Sequence, residues 1–287
     1  MAITAAMVKE LRERTGLGMM DCKKALQETD GDLEKAIEEL RKSSALKAAK
    51  KAGRTTADGL LGIKVADDGS RAALVEINIE TDFAAKNEKF IAFVEKTAEL
   101  VFDSADGDLA ALLAGGLDAE REALVQEIGE NITVRRARLM KSEVGGIASY
   151  LHADNRKGAL VNLSANNPQL ARDVAMHVTA VAPMVVRSDD VPTDVLDKER
   201  EIYTTQAQDS GKPEEIVAKM VEGRVRKFLA EVSLVDQEFV KDPDQKVGAL
   251  VKSAGAEVVE FERYEVGEGI EKEEEDFAAE VAAQLNG

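Results

Sequence analysis

Two stretches, "DGLLGIKVADDGSRAALVEINI" (58–79) and "VGGIASYLHADNRKGALVNLS" (144–164), follow one plan, and a repeated plan restricts a fold more than composition does. Each sets two short apolar runs around a polar turn, Asp-Gly in the first, which predicts a β-hairpin. "AALVEIN" and "GALVNLS" correspond within them. After a loop, each is followed by a helical pattern: "EKFIAFVEKTAELVF" (88–102), with Phe90, Val94 and Val101 along one face, and "PQLARDVAMHVTAVA" (168–182). Each can close with a further strand, "NITVRRARLM" (131–140) and "AEVVEFERYEV" (256–266). The expectation is an α+β chain with a duplicated hairpin–helix–strand module, giving two sibling α/β core subdomains with antiparallel sheets.

The flanks read as helix. Thr4 can cap "AAMVKELRERT", with Met7, Val8 and Leu11 on one face, and Gly16 and Gly18 end it. Asp21 is the expected cap of "CKKALQET" and Asp32 of "LEKAIEELRKS", where Leu33, Ile37 and Leu40 keep helical register. "ALKAAKKAGR" (45–54) reads as a basic helical linker. Pro192 and Thr193 open "DVLDKEREIYTTQAQ", "DSGKP" (209–213) turns the chain, and "EEIVAKMVEGRVRKFL" returns. This is an antiparallel helical hairpin inserted into the second module. Its stripe is thin, Leu196, Ile202 and Tyr203 against Ile216, Met220 and Phe228, so it is expected to project. "EKEEEDFAAEVAAQL" (271–285) reads as a terminal helix. The expected division is 1–54 for the three-helix domain and linker, 55–140 for the first core subdomain, 141–185 with 232–268 for the second, 186–231 for the hairpin, and 269–287 for the C-terminal helix.

Charge narrows the partner. The net charge is −17, yet residues 1–54 hold 12 Lys/Arg against 9 Asp/Glu, a balance of +3 that leaves −20 for the remainder. Such a body is a poor binder of phosphate backbones, and with 4% aromatics and no Trp it offers few base-stacking platforms. No nucleic acid is expected as partner; a protein is. No apolar run approaches a membrane span, and the amphipathic start "MAITAAMVKELRERTG" has no signal-peptide core. Cys22 is the single cysteine, so no internal disulfide can form, and a cytoplasmic protein is the expectation.

Reactive chemistry is not indicated. The sequence has no Walker loop, dinucleotide fingerprint, HExxH or paired CxxC, and no cofactor or metal is implied. His177 sits beside Met176 and Val178 on a helix, which favours a structural role, as its place after two methionines does for Cys22. "ADDGS" lacks the spaced ligands of a calcium loop and is read as a turn. His152 ends "SYLH", where surface and functional roles weigh equally. Met19 and Met20, between the first two helices, fit local core and contact surface equally well. Phe83 is sharper. In "ETDFAAKN" (80–87) it follows the strand ending at Ile79 and lies outside the stripe of Phe90, Val94 and Val101. If Asp82 caps the next turn, Phe83 projects from the rim of the sheet; the alternative is a staple packing back onto the helix, though Phe90 and Phe93 already serve that face. The same letters recur in "DFAAE" (276–280), but there Phe277, Val281 and Leu285 share one helical stripe, so that copy reads as a docking face.

Five segments in order carry a resemblance that spans essentially the whole chain: "VKELRERTGLGMMDCKKAL" (8–26), "ETDFAAKN" (80–87), "GENITVRR" (129–136), "SGKPEEIVAKMVEGR" (210–224) and "FERYEVGEGIEK" (261–272). Together they resemble the bacterial elongation factor Ts family, the nucleotide exchange factors for elongation factor Tu. The resemblance implies a UBA-like three-helix domain, two related core subdomains, a protruding coiled coil and a C-terminal helix. It implies that Asp82 and Phe83, with Thr81 beside them, intrude into the partner's nucleotide-binding domain. Arg12, Met19, Met20 and Lys23 match the family's N-terminal contact surface, and His152 matches a contact of its second subdomain. Ala84 stands where the family commonly has valine and Ile79 where it often has cysteine. The partner implied is elongation factor Tu, with self-pairing as a homodimer or a 2:2 complex left open. Two other classes compete: an adaptor for ubiquitin-like folds built on the three-helix domain, and an enzyme using carboxylates such as Glu80 and Asp82.

Overall fold

The computed structural model describes residues 3–208 and 213–271. Residues 209–212 of the expected turn, and the expected C-terminal helix from residue 272 on with Phe277, Val281 and Leu285, lie outside them. The described chain is mixed helix and antiparallel sheet. It divides into two compact units, one from residues 3–62, 75–137 and 265–271, the other from Ile63–Leu74 and Arg138–Tyr264.

The first unit opens with three helices: α1 (Ala5–Thr15), α2 (Met19–Glu28) and α3 (Leu33–Lys51). Thr4 Oγ1 accepts from Met7 N–H (3.3 Å) and Asp32 Oδ1 from Lys35 N–H (3.1 Å), so both expected caps are present. The second cap differs. Helix α2 begins at Met19 behind Gly18, whose extended backbone suffices, and Asp21 lies in the first turn. There its carboxylate faces the positive helix end without capping it. Val8, Leu11, Leu17, Cys22, Leu26 and Leu40 form a small core, and Ala123 packs against it. The basic stretch continues α3 as far as Lys51.

Strands β1 (Asp58–Val65), β2 (Arg71–Ile79) and β3 (Ile132–Lys141) pair in that order. The β1–β2 turn places Gly69 at φ 68°, and a Cβ there would come within 2.5 Å of Gly145 O. Only glycine fits. Asp68 Oδ1 closes the turn by accepting from Ser70 N–H (2.9 Å). After a 3₁₀ turn, Ala84–Lys86, comes α4 (Glu88–Asp103), which buries Phe90, Phe93, Val94 and Val101. A short α5 (Leu109–Leu112) and α6 (Asp118–Ile128) precede β3, and α6 packs on α3.

In the second unit, β4 (Ile147–Leu151) and β5 (Lys157–Leu163) form an antiparallel hairpin pairing Ile147 with Asn162 and Leu151 with Gly158. Helix α7 (Pro168–Val181) covers it. Helices α8 (Thr193–Gln208) and α9 (Glu214–Val232) follow, then β6 (Glu238–Phe239), β7 (Asp242–Lys246), α10 (Val247–Ser253) and β8 (Val258–Glu265), which pairs beside β5. Val185 and Ser233 form a bridge, so the chain enters and leaves the α8–α9 pair at one point. Ala207, Val217, Val221 and Val225 hold that pair together, with Leu196, Tyr203 and Leu229 against them.

Candidate functional site

The link from β2 to α4 is a short spur whose base is tied down and whose tip is left in water. Thr81 is its root. Its backbone N–H donates to Glu130 Oε2 (3.0 Å) and its hydroxyl to Glu130 Oε1 (2.8 Å). The same hydroxyl accepts from Ala84 N–H (3.1 Å), and Thr81 O accepts from Ala85 N–H (3.1 Å). The oxygen that takes Ala84 N–H is therefore the threonine hydroxyl, one residue ahead of the cap expected at Asp82. The Asp82 carboxylate instead meets Lys86 Nζ at 2.9 Å, i to i+4 along the turn. Ala84 and Ala85 are buried, and Asn87 Oδ1 caps α4 by accepting from Lys89 N–H (2.9 Å). Phe83, in helical backbone geometry between these anchors, is 83% exposed.

Glu130 is itself held. Helix α6 ends at Gly129 in the left-handed region (φ 91°), and Gly129 N–H closes on Val125 O (3.0 Å). Lys51 Nζ donates to Gly129 O. Asn131 N–H donates to Glu80 Oε1, and its side-chain amide donates to Arg54 O (3.0 Å). Arg54 reaches Glu80 as well (3.4 Å). Residues 129–131 thus join the end of α3 to the root of the spur.

Met19 and Met20 are 60% and 75% exposed on the first turn of α2, which decides for surface where the sequence was balanced. Arg12, on α1, and Lys23, on α2, are exposed too. Lys89, in the first turn of α4, donates to Gly16 O at the end of α1 (3.3 Å) and pairs with Glu127. One side chain therefore joins the turn that leads to the methionines and the helix that follows the spur. Arg12, Met19, Met20, Lys23, Thr81, Asp82 and Phe83 belong to the first unit.

His152 belongs to the second, at the tip of the β4–β5 hairpin. Its Nδ1 lies 2.9 Å from Asp154 Oδ1, and its ring is about half exposed. His177 is buried instead. Val240 N–H donates to Nδ1 (3.2 Å), which leaves the proton on Nε2 to bond Gln237 Oε1 (2.9 Å). Burial pushes its pKa below the usual imidazole value, against the opposing pull of Gln237. Cys22 is buried in the three-helix core.

Two acidic residues that sequence reasoning missed organise the first unit. Glu130 is one. Its only signal is its place in "GENITVRR" after a left-handed glycine. Glu76 is the other, fully buried within the apolar run of β2. Its carboxylate takes Arg135 (3.0 Å), Arg136 (2.6 Å), Asn78 Nδ2 (3.0 Å) and Gly267 N–H (2.8 Å). Burial works to raise its pKa, but the Gly267 N–H, the Asn78 amide and the two guanidiniums outweigh it and hold the carboxyl below the ordinary value.

The sequence model of the family described as Elongation factor TS matches residues 80–268. Proteins named Elongation factor Ts are similar along their whole length. That of Hahella chejuensis is 63% identical over 100% of this chain and 99% of its own. That of Marinobacter nauticus is 60% identical over 98% of this chain and 97% of its own. That of Thioalkalivibrio sulfidiphilus is 53% identical over the full length of both. With a matched region that begins at the spur and ends just past the Glu76 cluster, this chain belongs to the elongation factor Ts family.

Proposed function

We propose that the protein is a guanine nucleotide exchange factor for elongation factor Tu. It binds the GDP form, drives Asp82 and Phe83 toward the magnesium and phosphate site, and holds the nucleotide-free partner until GTP enters. The observation that carries this reading is an aromatic ring left in water on a spur whose base is fixed by hydrogen bonds. A large exposed apolar side chain on a rigid support is suited to enter another protein.

An exchange factor makes and breaks no covalent bond. It acts by binding the empty partner more tightly than the loaded one, and linkage then weakens nucleotide binding by the same factor. Changing that ratio by about 10⁴ takes roughly 5.5 kcal/mol of differential affinity. Fully burying a phenylalanine side chain is worth roughly 1.5–3 kcal/mol. Phe83 alone falls short, so other surfaces must grip while it acts. Arg12, Met19, Met20 and Lys23 on the first two helices, and His152 on the second unit, are the residues assigned to that grip. On the same reading the three helices form a UBA-like domain, the two sheets are copies of one module, and α8–α9 is a coiled-coil insertion. Self-association belongs to the same reading, as a homodimer or a 2:2 complex.

Phe83 would displace the backbone N–H groups that cradle the phosphates and loosen magnesium coordination, while Asp82 presents negative charge to donors freed from the nucleotide. The test is reciprocity. Titrating elongation factor Tu with this protein, with and without saturating GDP, should show GDP weakening the complex by the factor by which the protein weakens GDP. Equal affinity with and without GDP would sink the reading. Capture of ubiquitin-like folds in place of the GTPase would favour the adaptor.

A further inference from the structure

The wedge reading leaves open what aims Phe83. A ring on a loose loop would be exposed too, but each rotamer-rich group ordered on binding costs about 0.5–1.5 kcal/mol. This spur is not loose at its root. Glu130 takes both the N–H and the hydroxyl of Thr81, and that hydroxyl in turn takes Ala84 N–H. Phe83 lies between those two bonded residues, so its Cα is set by a chain of three hydrogen bonds starting at one carboxylate. Hydrogen bonds to an ionised acceptor are stronger than neutral ones. Glu130 is placed by Gly129, whose left-handed φ ends α6, and by Asn131, which is tied to Glu80 and to Arg54 O. Nothing in that chain requires Glu130 to touch a partner.

We propose that Glu130 is a positioning residue for the Asp82–Phe83 spur, acting through Thr81 to hold the ring in its wedging direction. This rests on the exchange reading above. Small misplacement of a working group costs far more rate than affinity. Loss of Glu130 should therefore lower the maximal rate of nucleotide release at saturating protein and leave the half-saturating concentration nearly unchanged.

The experiment is stopped-flow release of a fluorescent GDP analogue from elongation factor Tu, with the full chain titrated to saturation. Glu130→Ala should lose about tenfold in maximal rate with half-saturation within about twofold. Glu130→Gln keeps the shape but turns an amide toward the Thr81 donors, so it should lose an intermediate amount. Thr81→Val, which removes the hydroxyl that links Glu130 to Ala84 N–H, should resemble Glu130→Ala. The decisive arm is the double variant. On a Phe83→Ala background, Glu130→Ala should change the rate by less than about twofold, because the residue it aims is gone. A further tenfold loss on that background overturns the proposal, as does a Glu130→Gln protein of normal rate. If Phe83→Ala itself releases nucleotide at the normal rate, the exchange-by-wedge reading fails. A normal Glu130→Gln beside a slow Phe83→Ala removes the positioning role alone. Should Glu130→Ala fold poorly, the Glu130→Gln and Thr81→Val pair carries the same comparison.

Discussion

Phe83 keeps its ring in solvent although Ala84 and Ala85, the next two residues, are buried. The chain thus holds apolar surface in reserve beside a packed base. His177 is the opposite case, a polar ring kept inside, where burial disfavours its charged form while Val240 N–H takes one nitrogen and Gln237 the other. Its pKa is lowered from 6.5 on folding, so between its folded value and 6.5 the unfolded chain binds more protons than the folded one. Stability therefore rises with pH across that window and falls on acidification below 6.5. Urea titrations should show this slope in the native chain and a flatter one in His177→Gln; identical slopes would remove His177 as its source. Phe83 was legible in the sequence because it breaks the period of the helix that follows. Met19 and Met20 were not. A methionine two residues ahead of a buried cysteine fits core and surface alike, and only the start of α2 behind Gly18 decides.

At the scale of elements, the Glu76 cluster fastens Gly267, just beyond β8, to residues from β2 and β3. Removing one partner of a buried charge cluster typically costs about 3–5 kcal/mol, and Glu76→Ala should lose that much in guanidinium unfolding, against a contradiction at 1 kcal/mol or less. The folded carboxyl has a lowered pKa, so its contribution is present above 4.5 and is lost as pH falls through the folded value. Both hairpins, α4, α7 and the closing strands were legible because each carries a clear period between turn residues. Residues 103–128 carry no clear helical or strand period in the sequence. Helix α6 lies there behind Gly115 and Gly116; its first half is mostly charged, and the residues it buries, Leu124 and Val125, come only in its second half, where it packs on α3. Glu76 is hidden in the sequence for a related reason. A lone acid inside "LVEINI" reads as a solvent-facing position, and only the fold brings two guanidiniums to it.

Across the whole molecule the excess of acid argues against phosphate backbones as partners. Gel retardation with transfer RNA at low salt should show no shift at micromolar protein, and a salt-sensitive shift would contradict that. No described helix is long and apolar enough to cross a membrane. Division of labour between grip and wedge gives a second prediction. Met20→Ala removes exposed apolar surface and should raise the half-saturating concentration about tenfold, with the maximal release rate unchanged. The most direct test of the central claim is the complementary variant. With Phe83→Ala, release of a fluorescent GDP analogue measured by stopped flow at saturating protein should slow by about tenfold or more, with half-saturation shifted less than the rate. Release as fast as that of the native protein, at equal occupancy of the complex, would contradict it.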